Sequence, residues 1–254
     1  MCLILLAHQI HPRFRLVFAA NRDEFYDRPS EQAHFWEDAP DLLAGRDKRE
    51  GGTWMGVTRA GRIGALTNHR DPAAYRPDAP SRGALVHRYL RGSRPPEAYL
   101  RGVLREKAAY NGFNLLAGDP SGICWASNRD GGPRWLDPGV HGISNRLLDT
   151  PWPKVVRGKE MLEELLSSPE GPSVERLMRL LEDRTVPPDR DLPETGMGLE
   201  WERILSPIFI RSPTYGTRSS TVLLIDRAGR LTFVERTHDP WLEGGREVRF
   251  SFAV

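Results

Sequence analysis

Cysteines and cofactor-binding motifs are scarce in this sequence, which excludes several classes of protein. Cys2 and Cys124 are its two cysteines, so there is no disulfide framework. The seven histidines show no metal-ligand spacing, and neither His-Glu-x-x-His nor Cys-x-x-Cys occurs. Gly-x-Gly-x-x-Gly and phosphate-binding-loop motifs are also absent. We therefore expect no metal site, no nucleotide chemistry and no required cofactor.

Long apolar runs and a strong charge of one sign are missing as well. The apolar run from Cys2 to Ala7 ends at His8, too short for a membrane span or a signal peptide. A net charge of +2 without a basic stripe argues against nucleic acid as a partner. The 254 residues contain no linker or repeat. These observations predict one domain, residues 1–254, in a cytoplasmic protein without an integral membrane segment.

Periodicity predicts antiparallel strands with helices grouped between them. Together with two strands near the amino terminus and one at the carboxyl terminus, three hairpins bring the expected number of strands to about nine. The hairpins pair residues 53–57 with 62–67, 114–117 with 123–127, and 221–225 with 230–235; the other strands cover 1–7, 14–20 and 246–253. Helices are expected over 82–90, 96–109, 153–167 and 174–183, and a long loop over 184–197. This arrangement favours an α+β fold over alternating βαβ units.

Cys2 is the first candidate for chemistry. If Met1 is removed, Cys2 carries both a thiol and a free α-amine, and an uncharged amine can take the proton of the thiol near neutral pH. The alternative is a small apolar residue that opens a buried strand. Cys124, within an apolar segment, is expected in the core.

Four polar residues, Asn21 to Glu24, end the second strand. If the first two strands form a hairpin, the end of the second returns to the start of the first, so Asn21–Asp23 lie near Cys2. A guanidinium there lowers the pKa of a thiol, and a carboxylate there holds the amine or the arginine. The alternative is a salt-bridged turn.

Other polar clusters lie beside strands in a similar way. Asparagine side chains and amides next to glycine are suitable donors to the oxyanion of an acyl transfer. Together with residues near Cys2, these clusters supply the expected ligand-binding residues: Asn21, Glu24, Trp54, His69, Ser144 and Ser219.

The chain resembles the NRDE family, also called the transport and Golgi organisation protein 2 family. The resemblance extends over essentially the whole chain. Its motifs are Met1-Cys2, Asn21-Arg22-Asp23-Glu24-Phe25, Gly52-Thr53-Trp54, 65–72, 112–115, 142–145, 149–154 and Thr217-Arg218-Ser219-Ser220-Thr221.

This resemblance implies a four-layer αββα sandwich of two mainly antiparallel sheets, similar to N-terminal-nucleophile hydrolases. Cysteine members of that group, which cleave bile-salt and penicillin amides, suggest a set of catalytic matches. These are Cys2, Arg22, Asp23 and Arg218, with Asn68 or Asn145 as the asparagine. The arginine and the aspartate are adjacent here, whereas those amidases separate them.

Two functions are therefore predicted. The first is a cysteine hydrolase or acyltransferase that acts on an amide or (thio)ester of an apolar acyl compound, with Cys2 as nucleophile. The second is a non-catalytic carrier of haem or an acyl-CoA-like lipid, which the family's association with haem trafficking and lipid homeostasis implies. Four tryptophans are candidates to line the binding site of such a ligand: Trp36, Trp54, Trp125 and Trp152. Core packing is the alternative for them.

Overall fold

The computed structural model describes residues 2–239 and 245–254, which contain thirteen strands and five α-helices. Met1, whose removal is predicted, lies outside the described residues. The strands are β1 (Cys2–His8), β2 (Phe14–Phe25), β3 (Ser30–Trp36), β4 (Ala39–Asp47), β5 (Met55–Thr58), β6 (Ile63–Asn68), β7 (Phe113–Asp119), β8 (Gly122–Ser127), β9 (Arg134–Trp135), β10 (Gly139–Ile143), β11 (Tyr215–Asp226), β12 (Arg230–Thr237) and β13 (Arg246–Ala253). The helices are α1 (Gly83–Arg91), α2 (Pro96–Arg105), α3 (Pro153–Ser167), α4 (Val174–Leu181) and α5 (Leu199–Leu205).

The strands form two antiparallel sheets that face each other. The first has the order β10-β1-β2-β11-β12-β13, and the second runs from β3 to β9 in chain order. The core between the sheets includes Ile4, Phe18, Leu116 and Trp125. Helices α3 and α4 cover the outer face of the first sheet, and α1 and α2 cover that of the second. This confirms the α+β class and the αββα layers.

Strand β1 is apolar throughout because both of its faces are buried. Ile4 and Leu6 point into the core between the sheets, and Leu3 and Leu5 pack toward α3 and α4. The edge strand β13 alternates instead: three of its hydrophobic residues pack against the core between the sheets, and the residues between them are largely exposed. The face on which a residue lies therefore follows from its parity along the strand.

Helix starts agree closely with the local signals. Pro153 opens α3 at a position where its missing N–H costs nothing, and Ser173 caps α4 by accepting from the Arg176 amide at 3.3 Å. The predicted second helix is shorter than expected, since α2 ends at Arg105 and a 3₁₀ turn follows at Lys107–Ala109.

Four strands were not predicted: β3, β4, β9 and β10. Strand β3 has a polar sequence whose residues are mostly half-buried, and β9 has only two residues, so neither shows a clean apolar alternation. Helix α5 was also missed, because it lies next to the loop expected over 184–197.

Candidate active site

The pairing of β1 with β2 places Cys2 directly opposite Arg22. Both residues lie on the side of the sheet that faces the second sheet, in register with Ile4 and Ala20. Cys2 is 9% exposed and Arg22 is 5% exposed. The hairpin expected from the sequence thus brings the polar end of β2 to the thiol.

Cys2 lies in a cleft of about 420 Å³. Residues from β1, β2, the β4–β5 connection, the end of β6 and the segment 75–83 line it. The lining residues include Cys2, Arg22, Asp23, Glu24, Arg28, Asp47, Glu50, Trp54, Leu66, Asn68, Tyr75, Asp78, Arg82 and Gly83. The cleft therefore opens where the first sheet ends against the start of α1.

Arg22 is the nearest cation on the neighbouring strand. Its guanidinium carbon lies 4.5 Å from the centre of the Trp54 ring, and its Nη1 is buried with no hydrogen-bond partner among the described residues. Burial raises the pKa of the Cys2 thiol, and the charge of Asp23 raises it further, while the charge of Arg22 lowers it. The thiol is thus protonated at rest, beside a cation that favours its thiolate.

Asp23 points away from Arg22, toward the helical layer. Its Oδ1 accepts from the hydroxyl of Thr217 at 2.7 Å. Burial raises the pKa of Asp23, and Lys154 opposes that rise. Burial also lowers the pKa of Lys154 to about 8, and its Nζ donates to the carbonyl of Leu205 at 2.8 Å. A buried carboxylate and a buried ammonium therefore lie behind the nucleophile.

Asn68 and Asn145 lie together near the nucleophile. The Nδ2 of Asn145 donates to the backbone oxygen of Asn68 at 2.8 Å, and Asn68 lines the cleft. Ser144 donates to the Cys2 carbonyl at 3.4 Å and to Asn145 Oδ1 at 3.2 Å. Asn145 is fully buried, so it supports Asn68 from behind.

Three other expected site residues are held in packing roles. Asn21 donates from Nδ2 to the carbonyls of Leu181 and Ile208, at 2.8 and 2.9 Å, on the helical side of the sheet. The buried ring of His69 lies outside the cleft lining, and burial lowers its pKa to about 4. Ser219 is opposite Arg22 on β11, with its hydroxyl buried.

Arg218 occupies a β-bulge in β11 between the partners of Asp23 and Arg22. Its Nη1 donates to the carbonyls of Phe25, Tyr26 and Arg28, at 2.8 to 3.1 Å. The side chain holds the connection after β2 and does not line the cleft.

The four tryptophans do not form one wall. Trp54 lines the cleft, but Trp36 is buried in the core beneath α1 and α2, and Trp125 in the core between the sheets. Trp152 is half-buried, with Arg70 over its ring at 4.8 Å. Core packing accounts for two of them because each occupies a strand position that faces a packed layer.

Sequence reasoning missed three residues around the nucleophile: Arg82, Tyr75 and Lys154. Tyr75 and Arg82 lie in the segment 72–82, whose prolines and polar residues indicate a loop that leads into the predicted helix without showing where the loop lies in the fold. Lys154 occupies an early position of a predicted helix, and a lysine there is normally exposed. The available signal was the motif over 149–154, which carries part of the family resemblance and contains this lysine.

Residues 2–239 and 245–254 contain neither a metal-ligand cluster nor a membrane-spanning helix. In that part of the chain no three His, Cys, Asp or Glu side chains converge as a metal ion requires. Over the same residues, no helix combines the length and the apolar character needed to cross a bilayer.

The two-sheet fold is similar to that of a solved amidase. A solved structure of an N-acylethanolamine-hydrolyzing acid amidase ortholog from Caenorhabditis elegans superposes with a TM-score of 0.50. The match covers 88% of this chain and 92% of that one, at 13% sequence identity. At this identity the likeness establishes the shared fold.

The chain belongs to the Transport and Golgi organisation 2 family, whose profile matches residues 1–240. The Transport and Golgi organization 2 homolog of Mus musculus is 38% identical over 257 residues, and the human homolog is 37% identical over 257 residues. Each match covers 93% of both chains. The Drosophila melanogaster Transport and Golgi organization protein 2 is 29% identical over the full length of both.

Proposed function

We propose that this protein is a cysteine hydrolase or acyltransferase in which Cys2 is the nucleophile. The observation that carries the proposal is the position of Cys2 in the cleft, opposite a buried arginine whose Nη1 has no hydrogen-bond partner among the described residues. An opposite charge nearby favours the thiolate, and the thiolate is the reactive form of cysteine. The N-terminal-nucleophile fold supports the same assignment.

The proposed reaction begins with removal of Met1, which leaves the α-amine of Cys2 free to act as base. The amine takes the thiol proton as the sulfur adds to the substrate carbonyl carbon. The bond from that carbon to the leaving nitrogen, oxygen or sulfur then breaks, and the leaving group takes the proton. Water or another acceptor attacks the thioester, the C–S bond breaks, and the thiol regains a proton.

The surrounding residues have distinct roles in this proposal. Arg22 stabilises the thiolate, and Asp23 orients the amine through its buried position beside Thr217 and Lys154. Asn68, which lines the cleft, donates to the oxyanion, and Asn145 holds the Asn68 backbone. Trp54, Leu66 and Tyr75 offer the apolar walls of the cleft to the acyl group.

Mass spectrometry of the protein after incubation with a long-chain acyl-CoA tests this proposal. We expect loss of Met1 and an acyl adduct on the Cys2 peptide, and we expect Cys2→Ala to abolish both adduct and turnover. Cys124→Ser is the matched control, because Cys124 is fully buried in the core. Full turnover by Cys2→Ala would overturn the proposal.

A non-catalytic carrier of an acyl-CoA-like lipid or haem is the second candidate. The raised pKa of the buried Cys2 thiol favours it, because a protonated thiol attacks carbonyls poorly. For a carrier, Cys2→Ala should bind acyl-CoA as tightly as the unaltered protein, and neither should release free acid. A saturable Soret shift on titration with haem would support the haem version.

A further inference from the structure

Arg82 brings a second guanidinium to the cleft that holds Cys2. It directly precedes α1, and its Nη1 donates to the carbonyl of Gly112 at 2.8 Å. Burial lowers the pKa of Arg82, while the proximity of Tyr75, Cys2 and Glu24 opposes that effect. The guanidinium therefore lies close to the thiol, and Glu24, the carboxylate near it, also lies 3.9 Å from Arg28.

The amino end of α1 opens on the same cleft. This helix has nine residues, with neither an acidic residue in its first turn nor a side-chain cap at its start. The chain before β5 packs tightly against the first turn, since a Cβ on Gly52 would lie 2.7 Å from the carbonyl carbon of Gly83. Free amides and the helix dipole make such an end favourable for an anion.

Arg22 provides an independent observation that points to an anionic ligand. It is 5% exposed, it lines the cleft, and its Nη1 has no hydrogen-bond partner among the described residues. A buried charge without a partner is costly, and it is retained where a ligand or a reacting group supplies the opposite charge.

The carboxylates that line the cleft have other partners or are exposed to solvent, while Asp23 acts on Arg22 and Glu24 acts on Arg82 through their charges. Arg28 holds Asp47 at 2.6 Å and lies 3.9 Å from Glu24. Asp23 bonds to Thr217 on the other side of the sheet. The remaining two, Glu50 and Asp78, are exposed to solvent. Arg22 and Arg82 therefore remain available to hydrogen-bond an anionic group in the cleft.

We propose that the substrate carries a carboxylate or phosphate close to its reacting carbonyl, and that Arg82 and the amino end of α1 bind this group. The inference rests on the proposed function for the identity of the reacting atom, Cys2 Sγ. Arg82 is thus a specificity-determining residue, and neutral acyl compounds of the same size are poorer ligands.

Two alkylating reagents of nearly equal size test the proposal without requiring turnover. Iodoacetate and iodoacetamide both transfer a carbon to the Cys2 thiolate and release iodide, but only iodoacetate carries a carboxylate. We expect iodoacetate to react faster at Cys2, measured by peptide mass spectrometry. The ratio of the iodoacetate rate to the iodoacetamide rate should fall about tenfold in Arg82→Gln, as expected for loss of a charge-assisted hydrogen bond.

Arg82→Lys should retain part of the preference, and Arg88→Gln, an exposed arginine on the same helix outside the cleft, should retain all of it. Protection of Cys2 by inorganic phosphate or by acetate separates the two ligand chemistries. A faster reaction with iodoacetamide in the unaltered protein, or a ratio unchanged in Arg82→Gln, would overturn the proposal.

A thermal-unfolding measurement decides the case in which Cys2 reacts with neither reagent. Phosphate or acetate should then raise Tm in the unaltered protein but not in Arg82→Gln, and equal effects in both would overturn the inference. An Arg82-dependent preference in a protein that forms no acyl adduct would leave the anion site standing and remove the proposed hydrolase.

Discussion

Two sets of neighbouring buried arginine and glutamate side chains in this molecule differ in their hydrogen bonding. Arg70 meets Glu202 at 2.5 Å, and the same carboxylate accepts from the amide of Thr195 at 3.1 Å. Arg22 and Glu235 are buried as deeply, yet Nη1 of the arginine and Oε2 of the glutamate have no hydrogen-bond partner in the described part of the chain. The first pair joins α5 to the end of β6, whereas the second leaves charge beside the cleft.

The difference indicates which charges serve the architecture and which serve chemistry. A buried ion pair with satisfied hydrogen bonds holds two elements together, and removal of one partner leaves an uncompensated charge. An unpaired buried arginine contributes no such bond, so its retention beside Cys2 is consistent with a role toward a thiolate or ligand.

Breaking the satisfied pair should have the largest effect. Arg70→Met leaves Glu202 buried without its cation, and we expect a loss of about 3–5 kcal/mol in the free energy of unfolding. Denaturant titration measures it. Arg203→Met, on the same helix, breaks an exposed pair with Asp189 and should cost far less, because solvent screens that pair. Equal losses would invalidate the comparison.

Glu235 should make stability depend on pH, with a defined sign. Burial raises the pKa of Glu235 to about 7, against the charge of Arg22, which lowers it. Because this value exceeds that of an unfolded glutamate, the stabilisation is complete below the unfolded pKa and is lost as pH rises through 7. The loss should reach about 3 kcal/mol at high pH.

Unfolding measured at pH 5 and pH 8.5 tests the effect of Glu235. Glu235→Gln should remove that part of the decline, whereas Glu247→Gln, on the partly exposed edge strand, should retain it. A pH dependence that survives in Glu235→Gln would assign it to another group.

Arg22→Met should have the smallest effect on folding and a specific effect on the thiol. We expect the free energy of unfolding to change by no more than about 1 kcal/mol, since no hydrogen-bonded ion pair is lost. Alkylation of Cys2 by iodoacetamide at pH 7 should slow about tenfold, because the charge of Arg22 lowers the pKa of the thiol. The rates should converge at high pH, where the thiol is fully ionised; a constant difference would point to altered access instead.

The sequence predicted the part of the site that depends on strand pairing. A hairpin with side chains of period two was sufficient to place Arg22 opposite Cys2, and the structure has that register. The sequence did not reveal where the side chains on the other face of β2 lie. Asn21 and Asp23 point toward the helical layer, where Asn21 bonds to Leu181 and Ile208. The choice of face required knowledge of which side each helix covers.

Arg82 illustrates why the rest of the site was not predictable. It is separated from Cys2 by 80 positions and from Arg22 by 60, and the helix predicted from residue 82 does not show where its start lies in the fold. Its place in the cleft depends on how α1 packs on the second sheet and how that sheet faces the first. Neither arrangement is encoded by a local propensity.

The amino-acid sequence by itself determined the antiparallel hairpins, the start of α3 at Pro153, the cap at Ser173 and the position of Cys2 at the head of a fully buried strand. These features arise from local backbone preferences and hydrophobic periodicity, which act over a few residues. Only the tertiary structure decided that Nη1 of Arg22 has no hydrogen-bond partner among the described residues, that Lys154 is buried behind Asp23 and that the amino end of α1 lines the cleft that holds Cys2. Those are properties of packed layers, because burial and charge compensation depend on residues brought together from distant parts of the chain.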